Sequence, residues 1–266
     1  MPEGDAARRA ALRLDAALQG QELLRAELRV PRFATVDLTG GVVTGTGTVG
    51  KHLLTRVLRG DEELTVHSHM RMDGRWVMGK AGAKPCAGPG HQIRMWLVNA
   101  TQQAVGLRLA EVKVVRTRDE AQLVGYLGPD ILAADFDVAA AAHRIADHDG
   151  QLVVKLLNQR IVCGLGTMWA AEFASHIRTN PYATDLDLTQ LERGLSYVRK
   201  EMLTAVDATP RESRSRLVVF ERNGQPCRVC GAAIKKGRVG AAPQQRVTYW
   251  CTSCQPAVPE DGAVLP

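Results

Sequence analysis

A chain of 266 residues, 45% hydrophobic and with a net charge of +6, can bury one large core or two to three modest ones. No apolar run approaches the roughly 20 residues of a transmembrane helix, and the N-terminus lacks a signal-peptide apolar core. A membrane or secreted role is therefore not expected, and a soluble cytoplasmic (bacterial-type cytosol or nucleoid) protein is. The charge is uneven: nine Lys/Arg and two Asp/Glu lie between Arg211 and Arg246, leaving the rest of the chain near neutral. Such a concentrated basic segment points to a polyanionic partner.

The chain opens Met1-Pro2-Glu3-Gly4-Asp5. Loss of Met1 would leave Pro2 with a free secondary amine. An α-amine titrates near pH 8, about two units below lysine, so a useful fraction is neutral and nucleophilic at working pH. It can attack a masked aldehyde carbon and form a Schiff base, with Glu3 beside it as proton donor. Taken alone, a proline here more often simply opens a helix. Residues 5–19 are alanine-rich, Leu14 and Leu18 fall on one face, and Gly20 is a suitable stop. A helix is expected there, with Pro2 at its positive, anion-attracting end.

From residue 22 to about 118 the pattern changes to short β-like runs between Gly-rich turns, among them 27–30, 53–57, 63–67, 94–98 and 104–109. This predicts an antiparallel sandwich or barrel. Residues 79–90, rich in Gly and Pro, read as a loop. Residues 119–207 read as mostly helical, with clear periodicity over 137–147 and 190–206. Between these, Leu156-Leu-Asn-Gln159 leads to Gly164-Leu-Gly166, a turn whose N–H groups would open a second helix. The spacing fits a helix-turn-helix with a phosphate cradle, and equally an ordinary helical hairpin. Residues 208–216, basic and containing Pro and Ser, read as a linker, and the last dozen residues as a frayed tail.

Cys227, Cys230, Cys251 and Cys254 form two CxxC pairs separated by twenty residues. Four thiolates can close a tetrahedral Zn²⁺ site with no open position, so the ion is expected to be structural. The segment holds too little apolar material to fold alone, and the metal is expected to stabilise it. Arg246-Val-Thr-Tyr-Trp250 alternates like one arm of a β-hairpin, from which Arg246 would project toward a DNA groove, a phosphate or solvent. Cys86 and Cys163 read as free, inert thiols.

These motifs together resemble the formamidopyrimidine-DNA glycosylase/endonuclease VIII family. The resemblance rests on Pro2-Glu3-Gly4, on Leu156-Leu-Asn-Gln159 with Gly164-Leu-Gly166, and on Pro226-Cys-Arg-Val-Cys-Gly231 with Arg246-Val-Thr-Tyr-Trp-Cys-Thr-Ser-Cys-Gln255. Leu127-Gly-Pro-Asp130 and Pro89-Gly-His91 resemble further stretches, and the order holds over essentially the whole chain. Gly4, in place of leucine after Pro-Glu, resembles the endonuclease VIII branch.

The resemblance implies an α+β multidomain fold. An N-terminal helix with an antiparallel β-sandwich would occupy residues 1–118, and a helix-two-turn-helix domain 119–216. A C-terminal β-hairpin zinc finger would follow at 217–256, and a tail at 257–266. It also implies a base-excision-repair DNA glycosylase with AP lyase activity, acting on oxidised bases and on pyrimidines in particular. Pro2 would be the Schiff-base nucleophile and Glu3 the acid that helps open the sugar ring. Lys51, in Gly50-Lys51-His52, would be the hairpin-turn lysine whose ammonium assists base removal and elimination. Met72 would be the wedge that fills the gap left by a flipped base. Gly166 and Thr167 would bind backbone phosphate, and Arg246 the phosphate next to the lesion. Without the resemblance, Lys51 is a surface lysine and Met72 an apolar strand residue. One position departs from the family turn, Gly-x-Gly-Asn: Thr167 offers one donor where the amide has two, so an altered contact is expected.

The implied partners are damaged DNA and one structural Zn²⁺, with no membrane, no small-molecule cofactor and a monomeric chain. Two readings from other classes stand beside the enzyme: a catalytically silent zinc-containing DNA-binding protein of the same fold, and a structural zinc-ribbon protein. The joint presence of Pro2, Glu3 and Lys51 favours the enzyme.

Overall fold

The computed structural model describes residues 2–84 and 89–257. Met1, Cys86 and the expected tail beyond residue 257 lie outside the described residues. The chain separates into two compact units, Met1–Tyr126 and Leu127–Pro266.

In the first unit, helix α1 (Gly4–Leu18) buries Ala7, Ala11, Leu14 and Leu18, a spacing of four, three and four that keeps one stripe inward. Gly20, at φ +71°, supplies the left-handed residue that ends the helical path. Among the described residues eight strands follow: β1 (Arg25–Leu28), β2 (Val42–Val49), β3 (His52–Arg59), β4 (Glu62–His69), β5 (Arg75–Lys80), β6 (Ile93–Val98), β7 (Gln102–Leu107) and β8 (Glu111–Arg116). They form two antiparallel four-stranded sheets, ordered β1-β6-β7-β5 and β2-β3-β4-β8. Leu53, Val57 and Val66 of the second sheet meet Trp76, Met95 and Leu97 of the first and the α1 stripe in one core. This is the expected sandwich. Each such side chain contributes about 1.5–3 kcal/mol on burial.

Strand residues alternate between faces, so β3 turns His52, Leu54 and Arg56 away from that core. His67 and His69 on β4 stand opposite Leu54 and His52, and Lys113 and Glu111 on β8 continue the same face. The loop expected at 79–90 is shorter at both ends, because β5 runs to Lys80 and a 3-10 turn at Gly90–Gln92 leads into β6. The short helix α2 (Ala121–Val124) closes the unit.

The second unit is built on α3 (Val138–Ala146), α4 (Leu152–Leu157), α5 (Thr167–His176), α6 (Leu188–Asp207) and α7 (Pro210–Ser215), followed by a hairpin of β9 (Ile234–Val239) and β10 (Arg246–Cys251). The side chains of Asp137 and Asp187 cap α3 and α6 by accepting from the N–H of Ala140 and Gln190. Phe173, Leu191, Leu195 and Val198 anchor the core. Gly194 lets Phe173 approach closely: a Cβ there would meet its ring at 2.5 Å.

Two expectations need correction. Residues 208–216 are not a linker: α7 occupies 210–215, started by a capping box in which Glu212 accepts from the Thr209 N–H at 2.7 Å. The helix leading to the Gly164-Leu-Gly166 turn also stops early, at Leu157. Asn158 accepts from the Arg160 N–H and turns the chain, so nine residues separate α4 from α5.

Candidate active site and metal centre

The first unit carries Pro2, Glu3, Lys51 and Met72. Glu3 is the N-cap of α1, in extended conformation, and its carbonyl accepts from the Ala7 N–H at 3.0 Å. Its side chain is 1% exposed, while Pro2 is half-buried. A carboxyl so enclosed at a helix entry feels the positive end of the backbone dipole. The α1 stripe explains the placement, since burying Ala7 and Ala11 brings the first turn down onto the sandwich.

Lys51 lies in the two-residue turn between β2 and β3, flanked by the register pair Val49 and His52. Gly50, the first central residue, has φ +58°, as a glycine-led type II′ hairpin requires. The lysine is half-buried, and its charge reaches His69 on β4.

Met72 is not a strand residue. It sits in the turn between β4 and β5 and is 70% exposed, although Met70 is buried. That turn is held firmly. The Gly74 N–H donates to Met70 O at 2.9 Å, and a Cβ at Gly74 would run into that oxygen and come within 3.0 Å of Arg108 O. Arg71 adopts φ +46°, donates its backbone N–H to His69 Nδ1 at 3.0 Å, and pairs its guanidinium with Glu111. A rigid turn thus presents an apolar side chain outward.

The second unit carries Gly166, Thr167, Arg246 and the cysteines. Gln159 staples the nine-residue turn, donating to Leu157 O and Leu165 O and accepting from the Gly164 N–H at 3.1 Å. The Leu127-Gly-Pro-Asp130 stretch runs beside it, with the Gly128 N–H donating to Gln159 O and the Cys163 N–H to Pro129 O. A Cβ at Gly128 would meet Ile161 O at 2.5 Å, so that glycine is sterically required. Gly166 is the N-cap of α5 and Thr167 its first residue, which places the positive end of that helix at the turn. Cys163 is fully buried. Arg246 opens β10 opposite Val239 and is exposed.

The four cysteine sulfurs lie within 4.8 Å of one another, with Cys227 and Cys254 at 4.0 Å and Cys230 and Cys251 at 3.4 Å. Four thiolates around one ion at about 2.3 Å would be spaced by about 3.8 Å, so the set fits a tetrahedral metal ion. Burial and the neighbouring thiols push Cys254 up to about 12, so the four cannot all ionise without a cation among them.

Among the buried polar residues whose role escaped the sequence reading, three lie between the cysteine hairpin and the helices. Glu172, 2% exposed in the middle of α5, accepts backbone N–H groups from Val218, Val219 and Phe220 at 2.8–2.9 Å. Burial pushes its carboxyl up, and the three donors oppose that shift. Gln255 donates to Thr179 O and accepts from the Cys251 N–H, while Asn180 donates to Gln255 O and Pro256 O. These three bind the cysteine hairpin to the helices. Only a charged residue at an otherwise apolar α5 position could have flagged Glu172.

Residues 1–119 match the family model described as the formamidopyrimidine-DNA glycosylase N-terminal domain. A Streptomyces coelicolor protein named "Probable endonuclease 8 2" is 41% identical over 263 residues, covering 96% of this chain and 94% of its own. "DNA-(apurinic or apyrimidinic site) lyase Nei2" of Mycolicibacterium smegmatis is 36% identical, covering 97% of this chain and all of its own. Among solved structures, Lactococcus lactis formamidopyrimidine-DNA glycosylase bound non-covalently to DNA containing an abasic site superposes with a TM-score of 0.83. It covers 96% of this chain and 100% of its own at 21% identity, a likeness of fold.

Proposed function

The chain belongs to the formamidopyrimidine-DNA glycosylase/endonuclease VIII family, and from that membership we propose that it is a bifunctional DNA glycosylase and AP lyase of base-excision repair, acting on oxidised bases and on pyrimidines in particular. The damaged nucleotide leaves the stack at a cost of a few kcal/mol, smallest for a damaged or mispaired base. The Pro2 nitrogen attacks C1′ as the N-glycosidic bond breaks, and the base departs with the bonding pair and takes up the proton that the Pro2 nitrogen gives up. Glu3 protonates the ring oxygen, which opens the sugar and leaves an iminium between Pro2 and C1′. The iminium acidifies C2′. Loss of that proton expels the 3′ phosphate, a second elimination expels the 5′ phosphate, and water releases the sugar remnant from Pro2. The Lys51 ammonium assists both base departure and elimination.

Met72 fills the gap in the stack. The N-terminus of α5 at Gly166 and Thr167, together with Arg246, holds backbone phosphates, contacts that position the DNA without reading its sequence. Cys227, Cys230, Cys251 and Cys254 hold one Zn²⁺, which stabilises the hairpin. The protein works as a monomer in the cytosol or nucleoid, with a catalytic domain to residue 118, a helical domain to 216 and the finger to 256.

The observation that carries this reading is the Pro2-Glu3 pair at the positive end of α1, with a carboxyl enclosed to 1% exposure beside it. Borohydride trapping on DNA bearing an abasic site or an oxidised pyrimidine tests it. A covalent adduct mapping to Pro2 is expected, absent in Pro2→Gly, with base excision by Glu3→Gln down by at least about a hundredfold. No adduct from protein lacking Met1, with DNA binding intact, would establish the silent DNA-binding protein instead.

A further inference from the structure

The outer face of the β2-β3-β4-β8 sheet carries three imidazoles that this chemistry leaves unused. His52 follows Lys51 directly, His69 is its register partner on β4, and His67 lies two residues back on the same face. His52 is 9% and His67 1% exposed. His52 Nδ1 and His67 Nε2 are 2.7 Å apart, and Tyr126 Oη stands 3.5 Å from His52 Nε2. His67 Nδ1 is buried and has no hydrogen-bond partner among the described residues.

These contacts fix the protons. A buried N–H without an acceptor is rarer than an unused lone pair, so His67 carries its proton on Nε2 and donates it to His52 Nδ1. His52 then carries its own proton on Nε2, facing Tyr126. His69 is set separately, because its Nδ1 accepts the Arg71 N–H and its proton must sit on Nε2. Three imidazoles invite a metal reading, which these tautomers oppose. Two of the nitrogens are taken up with each other, and neutral His69 has no lone pair on Nε2.

We infer that the neutral His67–His52 pair is a positioning device for Lys51, fixing the first residue of β3 and keeping additional positive charge away from the Lys51 ammonium. The inference rests on the reading of Lys51 as a catalytic residue. The groups whose charge acts on the pair are His69 on β4 and Glu111 and Lys113 on β8, and Tyr126 after α2 faces His52; the charges of Lys51 in the hairpin turn and of Arg71 in the following turn act on His69. Glu111 attracts a proton entering the pair, while Lys113 and His69 oppose it, so burial decides the balance. Burial, the largest cause, holds His52 at about 3 and His67 at about 4. A small displacement of the ammonium is costly, because misplacing a catalytic group by about 1 Å can cost a hundredfold in rate.

The test is single-turnover excision of an oxidised pyrimidine from duplex DNA, with binding to an abasic-site duplex measured alongside. His67→Leu fills the space but cannot donate, and a rate about tenfold lower with unchanged binding is expected. His67→Gln keeps a donor where Nε2 stood, and His52→Asn keeps an acceptor where Nδ1 stood; both should stay within about twofold of wild type. If His67→Leu does not fold, His67→Asn, polar but too short to reach His52, takes its place with the same expected loss. A wild-type rate in His67→Leu or His67→Asn overturns the inference, as does a folded His67→Gln that is as slow as they are. A wild-type rate in Lys51→Ala would instead sink the catalytic reading of Lys51 itself, whatever the histidine variants do.

Discussion

Glu172 shows how one side chain decides where a whole module sits. Its two carboxylate oxygens meet three backbone donors, Oε2 taking the Val218 N–H and Oε1 those of Val219 and Phe220. A carboxylate can accept all three, whereas an amide must turn an NH₂ group toward at least one N–H. Hydrogen bonds to a charged acceptor are worth about 1.5–3 kcal/mol each, and an unmet buried donor costs about 1–3 kcal/mol. Glu172→Gln is therefore expected to destabilise the second unit by about 2–4 kcal/mol in urea unfolding, while trapping of an abasic-site duplex by folded protein stays near wild type. A neutral effect on stability would mean that the chain entering the finger is held by apolar contacts alone, those of Val219 with Ala171, Ile234 and Tyr249.

The β9–β10 hairpin is an element that borrows its stability. Its own apolar cluster is small and is completed by Ala171 from α5. Around it Tyr182 packs edge-on against Trp250, with its hydroxyl against Gly237, where a Cβ would lie 2.5 Å from that oxygen. The Gly240 N–H donates to Gln151 Oε1 at 3.2 Å, and Gln255 and Asn180 fasten the far end. These docking contacts need the hairpin closed, and four thiols pressed together do not close it by themselves. Metal binding supplies that free energy in small modules. Chelation, or Cys254→Ser, is expected to expose residues 227–254 to rapid amide exchange while protection in β3, β4 and β7 is retained. DNA affinity should fall by about tenfold or more as Arg246 and the nearby cations lose their fixed positions. Unchanged exchange in the hairpin after confirmed metal loss would show that docking, and not the ion, holds it.

For the molecule as a whole, the buried histidines set a limit on the acid side. Folded His52 and His67 take up protons at about 3 and about 4, below the ordinary 6.5 of an unfolded histidine. Between pH 6.5 and 4 the unfolded chain therefore binds more protons, so stability rises with pH and is lost as pH falls through that window. Each unit of separation is worth about 1.4 kcal/mol, so acidification from pH 6.5 to 5 should cost at most about 2 kcal/mol per histidine. Glu27, Glu111 and Glu120, held below the ordinary carboxylate range, add their losses only at lower pH. Urea midpoints measured from pH 7 to 5 should decline, and the decline should be shallower in His67→Gln. A flat profile would mean that the pair charges as readily folded as unfolded.

The sequence by itself determined what depends on local spacing and residue type. The α1 stripe, the sandwich of short strands, Gly20 as a stop and the four clustered thiols were legible because each is written in periodicity or in ligand spacing. The capping box at Thr209 and Glu212 was also written there, yet the surrounding Pro, Ser and Arg disguised α7 as a linker. The shortened α4 was harder to see, because leucine periodicity ran past the point where the Asn158 side chain turned the backbone. Only the tertiary structure decided which polar residues went inside. Glu172, Gln255 and the His52–His67 pair lie on elements whose pattern does not distinguish a solvated face from one covered by another segment. The reason is physical: a buried polar group is stable only when its partners are in place, and here those partners come from up to 76 residues away in the chain.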